Sequence, residues 1–81
     1  MKIRLTARAQ HDYAALPTRM KRAVDKQLNF LLQDIRYPSL RAKKYSEIND
    51  IWQAMANDDY RFYFQITGDT YWIISIFPHP K

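Results

Sequence analysis

Three groups of side chains in this 81-residue sequence have types and spacings that could do chemistry. The first is Arg41, Lys43 and Lys44, cations followed directly by Tyr45. Lysine and arginine bind phosphate oxygens, and an aromatic ring stacks on an unpaired base for about 1–3 kcal/mol. The second is the C-terminal run Phe77-Pro78-His79-Pro80-Lys81. Imidazole is the side chain whose ordinary titration lies nearest neutrality, and the two prolines hold the run extended. The third is Arg61, in the middle of an apolar alternating segment. Each group also has a plainer reading: a solvated basic loop, a surface histidine on a frayed end, and an ion pair from Arg61 to Asp50 or Glu47. His11, beside Asp12 in a helical stretch, reads as solvent-facing.

Other chemistries find no support in the residues. Two distant histidines have no metal-ligand spacing, and cysteine is absent. No serine stands in a nucleophile elbow, and the single glycine leaves no phosphate-cradling loop.

The elements that must position these groups follow from periodicity. Met1–Leu5 alternates, with Ile3 and Leu5 on one side, and predicts a short strand. Thr6 is a suitable cap for a helix over about Ala7–Ala15. Leu16-Pro17 breaks that helix and opens a second one over about Thr18–Ile35. Its apolar stripe is Met20, Val24, Leu28, Leu31, Leu32 and Ile35, while Arg19, Lys21, Arg22 and Lys26 lie off the stripe. Tyr37-Pro38 ends it. Ser39–Ser46 reads as a basic connector. Strands follow at Ile51–Ala56, Tyr60–Ile66 and Tyr71–Phe77, with turns at Asn57-Asp58-Asp59 and Thr67-Gly68-Asp69.

Strand parity sorts the faces. Phe62, Phe64 and Ile66 oppose Arg61, Tyr63 and Gln65. Trp52, Ala54 and Ala56 oppose Gln53 and Met55. Trp72, Ile74 and Ile76 oppose Tyr71, Ile73 and Ser75. The apolar sets are expected against the helical hairpin. The fold class is therefore α+β: an N-terminal strand and a two-helix hairpin packed on a small antiparallel sheet, forming one domain over 1–81.

Composition bounds the partners. Thirteen basic and eight acidic residues give a net charge of +5. Residues 1–45 carry +8 and residues 46–81 carry −3, so the charge is concentrated and suggests a polyanion or an acidic protein as partner. No segment is long and apolar enough for a membrane span, no signal peptide is evident, and the lack of cysteine makes a cytoplasmic location the simple reading.

Together these residues resemble a known family. The order is Leu16-Pro17, the Val24/Leu28/Leu31 helix, Pro38-Ser39-Leu40-Arg41-Ala42-Lys43-Lys44-Tyr45, Ile51-Trp52-Gln53-Ala54, Asp59-Tyr60-Arg61-Phe62-Tyr63-Phe64 and His79-Pro80-Lys81. It is similar, over nearly the whole chain, to the RelE/ParE toxin superfamily of type II toxin–antitoxin systems. That resemblance implies a translation-blocking toxin, silenced by a cognate antitoxin in a hetero-oligomer. RelE-like members cleave mRNA on the ribosome and ParE-like members inhibit DNA gyrase. It implies no cofactor and no metal: the RNA 2′-hydroxyl attacks the adjacent phosphate. It assigns His79 as general acid or base, with Arg61, Lys44 and Lys81 stabilising the phosphate. Arg41, Lys43, Tyr45 and Tyr63 would contact RNA, either tyrosine stacking on a base.

One departure stands out. After Ile-Trp-Gln-Ala the family pattern has an arginine and an apolar residue, whereas this chain has Met55-Ala56. Asp58 also stands where relatives often have a cation. Removing one preorganised charge costs on the order of 100-fold or more in rate, which implies an attenuated toxin. A gyrase inhibitor, a toxin relic acting only through its antitoxin, and a plain basic nucleic-acid-binding domain are the alternatives.

Overall fold

The computed structural model describes residues 1–79. The elements are β1 (Lys2–Leu5), α1 (Ala7–Ala14), α2 (Thr18–Gln33), a 3-10 turn (Pro38–Leu40), β2 (Lys43–Ser46), β3 (Ile51–Met55), β4 (Tyr60–Thr67) and β5 (Thr70–Pro78). The sheet has strand order β1-β5-β4-β3-β2. The expected α+β class, N-terminal strand and helical hairpin are all present. The sheet is mixed rather than antiparallel throughout. The α1–α2 hairpin returns the chain so that β1 pairs parallel with β5, Lys2 opposite Thr70 and Leu5 opposite Ile73.

The basic connector also contains a strand. Lys43 pairs with Gln53 and Lys44 with Trp52. Its lysines suit an edge strand, where charge discourages pairing with another chain. They also hide it from a search for apolar alternation.

Local chemistry sets the helix ends. The Thr6 hydroxyl accepts the Ala9 N–H at 3.1 Å and caps α1. Pro17 is the extended residue immediately before α2. That helix stops at Gln33, two residues short of the expected Ile35. There Asp34 turns extended, and its carboxylate accepts the Arg36 N–H at 2.8 Å.

Helix α2 lays Met20, Val24 and Leu31 on Phe62, Phe64 and Ile73 of the sheet, all essentially buried. Each such side chain contributes roughly 1.5–3 kcal/mol. Leu28 and Ile35 are only partly buried and Leu32 is exposed, so the apolar stripe is narrower than its sequence. The Tyr13 hydroxyl donates to Asp25 at 2.8 Å and ties the two helices. Buried Gln27 of α2 donates to the carbonyls of Ser39 and Met55, and its own oxygen accepts the Ser39 hydroxyl. Helix, 3-10 turn and the end of β3 are thereby joined through one amide.

The parity expected for β5 holds for Ile76 but is reversed before it: Tyr71 and Ile73 enter the core, while Trp72 and Ile74 are only partly buried. Tyr63 pairs with Ser75 but the next residue, Phe64, pairs with Ile73, so Ile74 is the extra residue of a β-bulge. Tyr71, Ile73 and Ile76 are all buried, instead of lying on opposite faces. A bulge frees backbone groups that must find other partners. Here α1 supplies them. The Thr6 hydroxyl donates to the Ile74 carbonyl at 2.8 Å, and the Asp12 carboxylate accepts the Ile76 N–H at 3.0 Å.

Asp12→Ala should therefore lose about 1.5–3 kcal/mol of stability, the range for a hydrogen bond to a charged group. Urea unfolding measures it. Asp12→Asn, which keeps an acceptor oxygen, should lose less. Arg8→Ala, which removes an exposed partner of Asp12 at 3.8 Å, should change stability by well under about 1 kcal/mol.

Candidate functional site

The helices cover one face of the sheet. On the other face the register aligns Lys43 with Gln53, Gln53 with Tyr63, and Tyr63 with Ser75. One step along, Met55 aligns with Arg61, and Arg61 with Phe77. The bulge at Ile74 is what brings Phe77 onto this face. His79 follows two residues later, with its backbone N–H donating to the Asp59 carbonyl at 2.7 Å.

These strands enclose an open pocket of about 330 Å³ lined by Arg41, Lys43, Gln53, Met55, Arg61 and His79, with Ala54 at its base. Three cations, an imidazole and an amide line it, and no carboxylate does. Such a concavity favours an anion. Beside it runs a row of aromatic rings. Tyr45 and Tyr63 lie 4.8 Å apart between centroids, and Tyr63 and Phe77 4.5 Å. Tyr45 is 58% exposed, so the row is open at that end.

Of the residues singled out from sequence, Arg41, Lys43, Arg61 and His79 meet in this pocket, with Tyr45 and Tyr63 in the adjoining row. Lys44 does not join them. It alternates to the helix side of β2, where its ammonium sits 2.6 Å from Asp50 and 5.0 Å from the centre of the Trp52 ring. The hydrogen bond to Asp50 raises its pKa above the ordinary lysine value. The expectation that Lys44, Arg61 and His79 converge thus fails for Lys44, and Lys43 stands in its place. Lys81 lies outside the described residues. His11 is exposed on α1.

Arg61 is not paired with Asp50 or Glu47. Its Nη1 donates to the carbonyls of Asn57 at 2.8 Å, Tyr60 at 3.1 Å and Asp58 at 3.4 Å. The guanidinium thus braces the turn whose Asp59 carbonyl holds the His79 backbone, and lines the pocket as well. Gln53 was missed as a pocket residue. Its signal is the parity it shares with Met55, which becomes telling once β2 is recognised as its neighbour. Among the described residues, no group of three or more His, Cys, Asp or Glu is placed to hold a metal ion. None of their helices is long and apolar enough to cross a membrane.

Two local features carry measurable consequences. A hydrogen bond with Tyr45, followed by burial, pushes the Tyr63 phenol from the ordinary 10.0 up to about 12. A group that holds its proton more tightly when folded stabilises the fold below its unfolded pKa. That contribution should be lost as pH rises from 10.0 through about 12. The Tyr13 and Tyr71 phenols are raised as well, by the hydrogen bond to Asp25 and by burial respectively, so the late phenolate absorbance should lose one component in Tyr63→Phe, and that component should titrate earlier in Tyr45→Phe. Arg41 is a non-glycine residue in the left-handed region, φ 45°. Arg41→Gly should relieve that strain and raise the urea midpoint, by up to about 1 kcal/mol of stability, while removing one pocket cation.

Solved structures supply the comparison. The YoeB/ParE toxin from Agrobacterium tumefaciens superposes with TM-score 0.82 at 15% identity, covering 99% of this chain and 100% of that one. The isolated E. coli RelE toxin gives 0.77 at 17% identity, covering 99% and 85%. A chain of the RelBE2 toxin–antitoxin complex from Mycobacterium tuberculosis gives 0.76 at 22% identity, covering 96% of each. No protein-family model matches the sequence, and neither does any curated protein. Superposition over nearly the full length of these chains gives the architecture its identity: this chain has the fold of the RelE/ParE toxins.

Proposed function

We propose that the protein is the toxin of a type II toxin–antitoxin system and that it cleaves mRNA on the ribosome. The observation that carries this reading is the pocket, in which Arg41, Lys43 and Arg61 surround an open space bordered by His79. In the reaction the RNA 2′-oxygen attacks the adjacent phosphorus and the bond to the 5′-oxygen breaks. The 2′-hydroxyl proton must leave, the departing 5′-oxygen must gain one, and a cyclic phosphate remains. Charge builds on the non-bridging oxygens, where fixed cations stabilise it more than they stabilise the ground state. Lys43 and the Arg61 face toward the pocket take that role. His79 moves the proton. Tyr63, held neutral well above the physiological range, serves as a ring and a hydrogen-bond donor rather than as a base. Tyr45 offers an exposed ring for an unpaired base.

An antitoxin is the proposed protein partner. The solved relatives include the E. coli RelBE toxin–antitoxin complex. A segment carrying acidic side chains would complement the cations around the pocket and cover the aromatic row.

A second reading has its own observation. Met55 occupies the pocket wall directly opposite Arg61 in the β3–β4 register. A thioether there contributes no charge where phosphate would dock. This favours an attenuated nuclease, or a non-catalytic module such as a gyrase inhibitor or an antitoxin-binding relic.

Neighbouring lysines on opposite faces separate the readings. In a translating extract, mRNA should be cut at codon-registered positions. Lys43→Ala and His79→Ala should each slow cleavage by about 100-fold or more. Lys44→Ala, on the other face, should change it far less. Intact mRNA at protein concentrations that arrest growth would replace the nuclease with the non-catalytic reading.

A further inference from the structure

The pocket has a neighbour across Met55. A second depression of about 320 Å³ begins on the far side of that residue, lined among others by Ala23 and Lys26 of α2, Ser39, Asn57 and Asp58. Met55 borders both. Lys26 in turn belongs to a row on α2. Arg19, Arg22 and Lys26 follow the i, i+3, i+7 spacing that places side chains on one helical stripe. All three are exposed, and none takes part in an ion pair among the described residues. The stripe ends on aromatic rings. The Lys26 ammonium lies 5.8 Å from the centre of Phe30, which stacks on Tyr37 at 3.9 Å.

Unpaired cations leading to stacked rings, beside a cationic pocket, are the ingredients of a single-strand binding track. A protein-docking face would need buried apolar anchors at its centre, whereas Arg19, Arg22 and Lys26 are all exposed cations. We propose that the Arg19–Arg22–Lys26 stripe is a second phosphate track, which carries the single-stranded RNA substrate on from the pocket, past Met55 and onto α2. The track rests on the reading of the pocket as an RNA site. It gives the substrate a minimum length beyond the reacting nucleotides. It also gives Asp58 a role: this acidic residue lines the second depression, where its negative charge would weaken the grip on the strand.

The test uses the full chain and 2′-O-methyl RNA, which cannot be cut because the attacking hydroxyl is capped. Affinity and its salt dependence are measured on single strands of about four and about ten nucleotides. In the variant with Arg19, Arg22 and Lys26 all changed to Ala, affinity for the longer strand should fall roughly 10- to 100-fold at low salt. The slope of log affinity against log salt should flatten by about 2, near 0.7 for each phosphate that the stripe had neutralised. The short strand should bind as before. Asp58→Asn should tighten the longer strand by up to about 5-fold, a gain that misfolding cannot produce.

If the triple variant binds the longer strand like the parent while Lys43→Ala weakens both lengths, the track is wrong and the pocket reading stands. If Lys43→Ala leaves both lengths unchanged, the pocket reading fails and takes the track with it. A loss confined to duplex RNA, or to an acidic polypeptide, assigns the stripe to another partner and overturns the proposal.

Discussion

One inserted residue decides what the open face of this molecule contains. Without the bulge at Ile74, strict alternation from Ile73 would turn Phe77 and His79 toward the helices. With it, Ile73 and Ile76 both enter the core, and the residues beyond emerge on the other side. Such a kink survives only if its freed backbone groups are satisfied. Thr6 and Asp12, more than sixty residues earlier in the chain, satisfy them. Thr6 also caps α1, so one hydroxyl both starts the helix and holds the bulge. The pocket therefore depends on a contact between the first helix and the last strand.

The rest of the site is arranged around that frame. Arg61 is usefully seen as two things at once. Its guanidinium fastens the Asn57–Tyr60 turn through three carbonyls, and the same side chain lines the pocket. The turn in turn fixes the backbone of His79 through Asp59. Removing Arg61 would disturb charge and position together. For that reason the exposed Lys43 is the cleaner probe of the proposed chemistry, and its neighbour Lys44 a natural control.

Much of this was legible in the sequence, and the reasons are specific. The α2 stripe, the Thr6 cap and the alternation of Phe62 and Phe64 against Arg61 and Tyr63 each follow from a single periodicity, so they could be read directly. The strand at Lys43–Ser46 was not legible, because its residues carry charge on both faces and it owes its existence to pairing with β3. The bulge was hidden for a related reason: nothing in Ile73-Ile74-Ser75-Ile76 says which residue is skipped. That is settled by Thr6 and Asp12 across the fold. Misplacing Lys44 followed from missing β2, since adjacent residues in a connector need not point apart, whereas in a strand they must.

The amide of Gln27 has a consequence of a mechanical kind. By holding the Ser39 and Met55 carbonyls and the Ser39 hydroxyl from the middle of α2, it locks the helix bearing the outer cations to the strand end that walls the pocket. The two regions are mounted on one chassis rather than hinged. A single strand spanning both, as proposed, would have to fit its own shape to this fixed frame, and the entropy of ordering would fall on the strand.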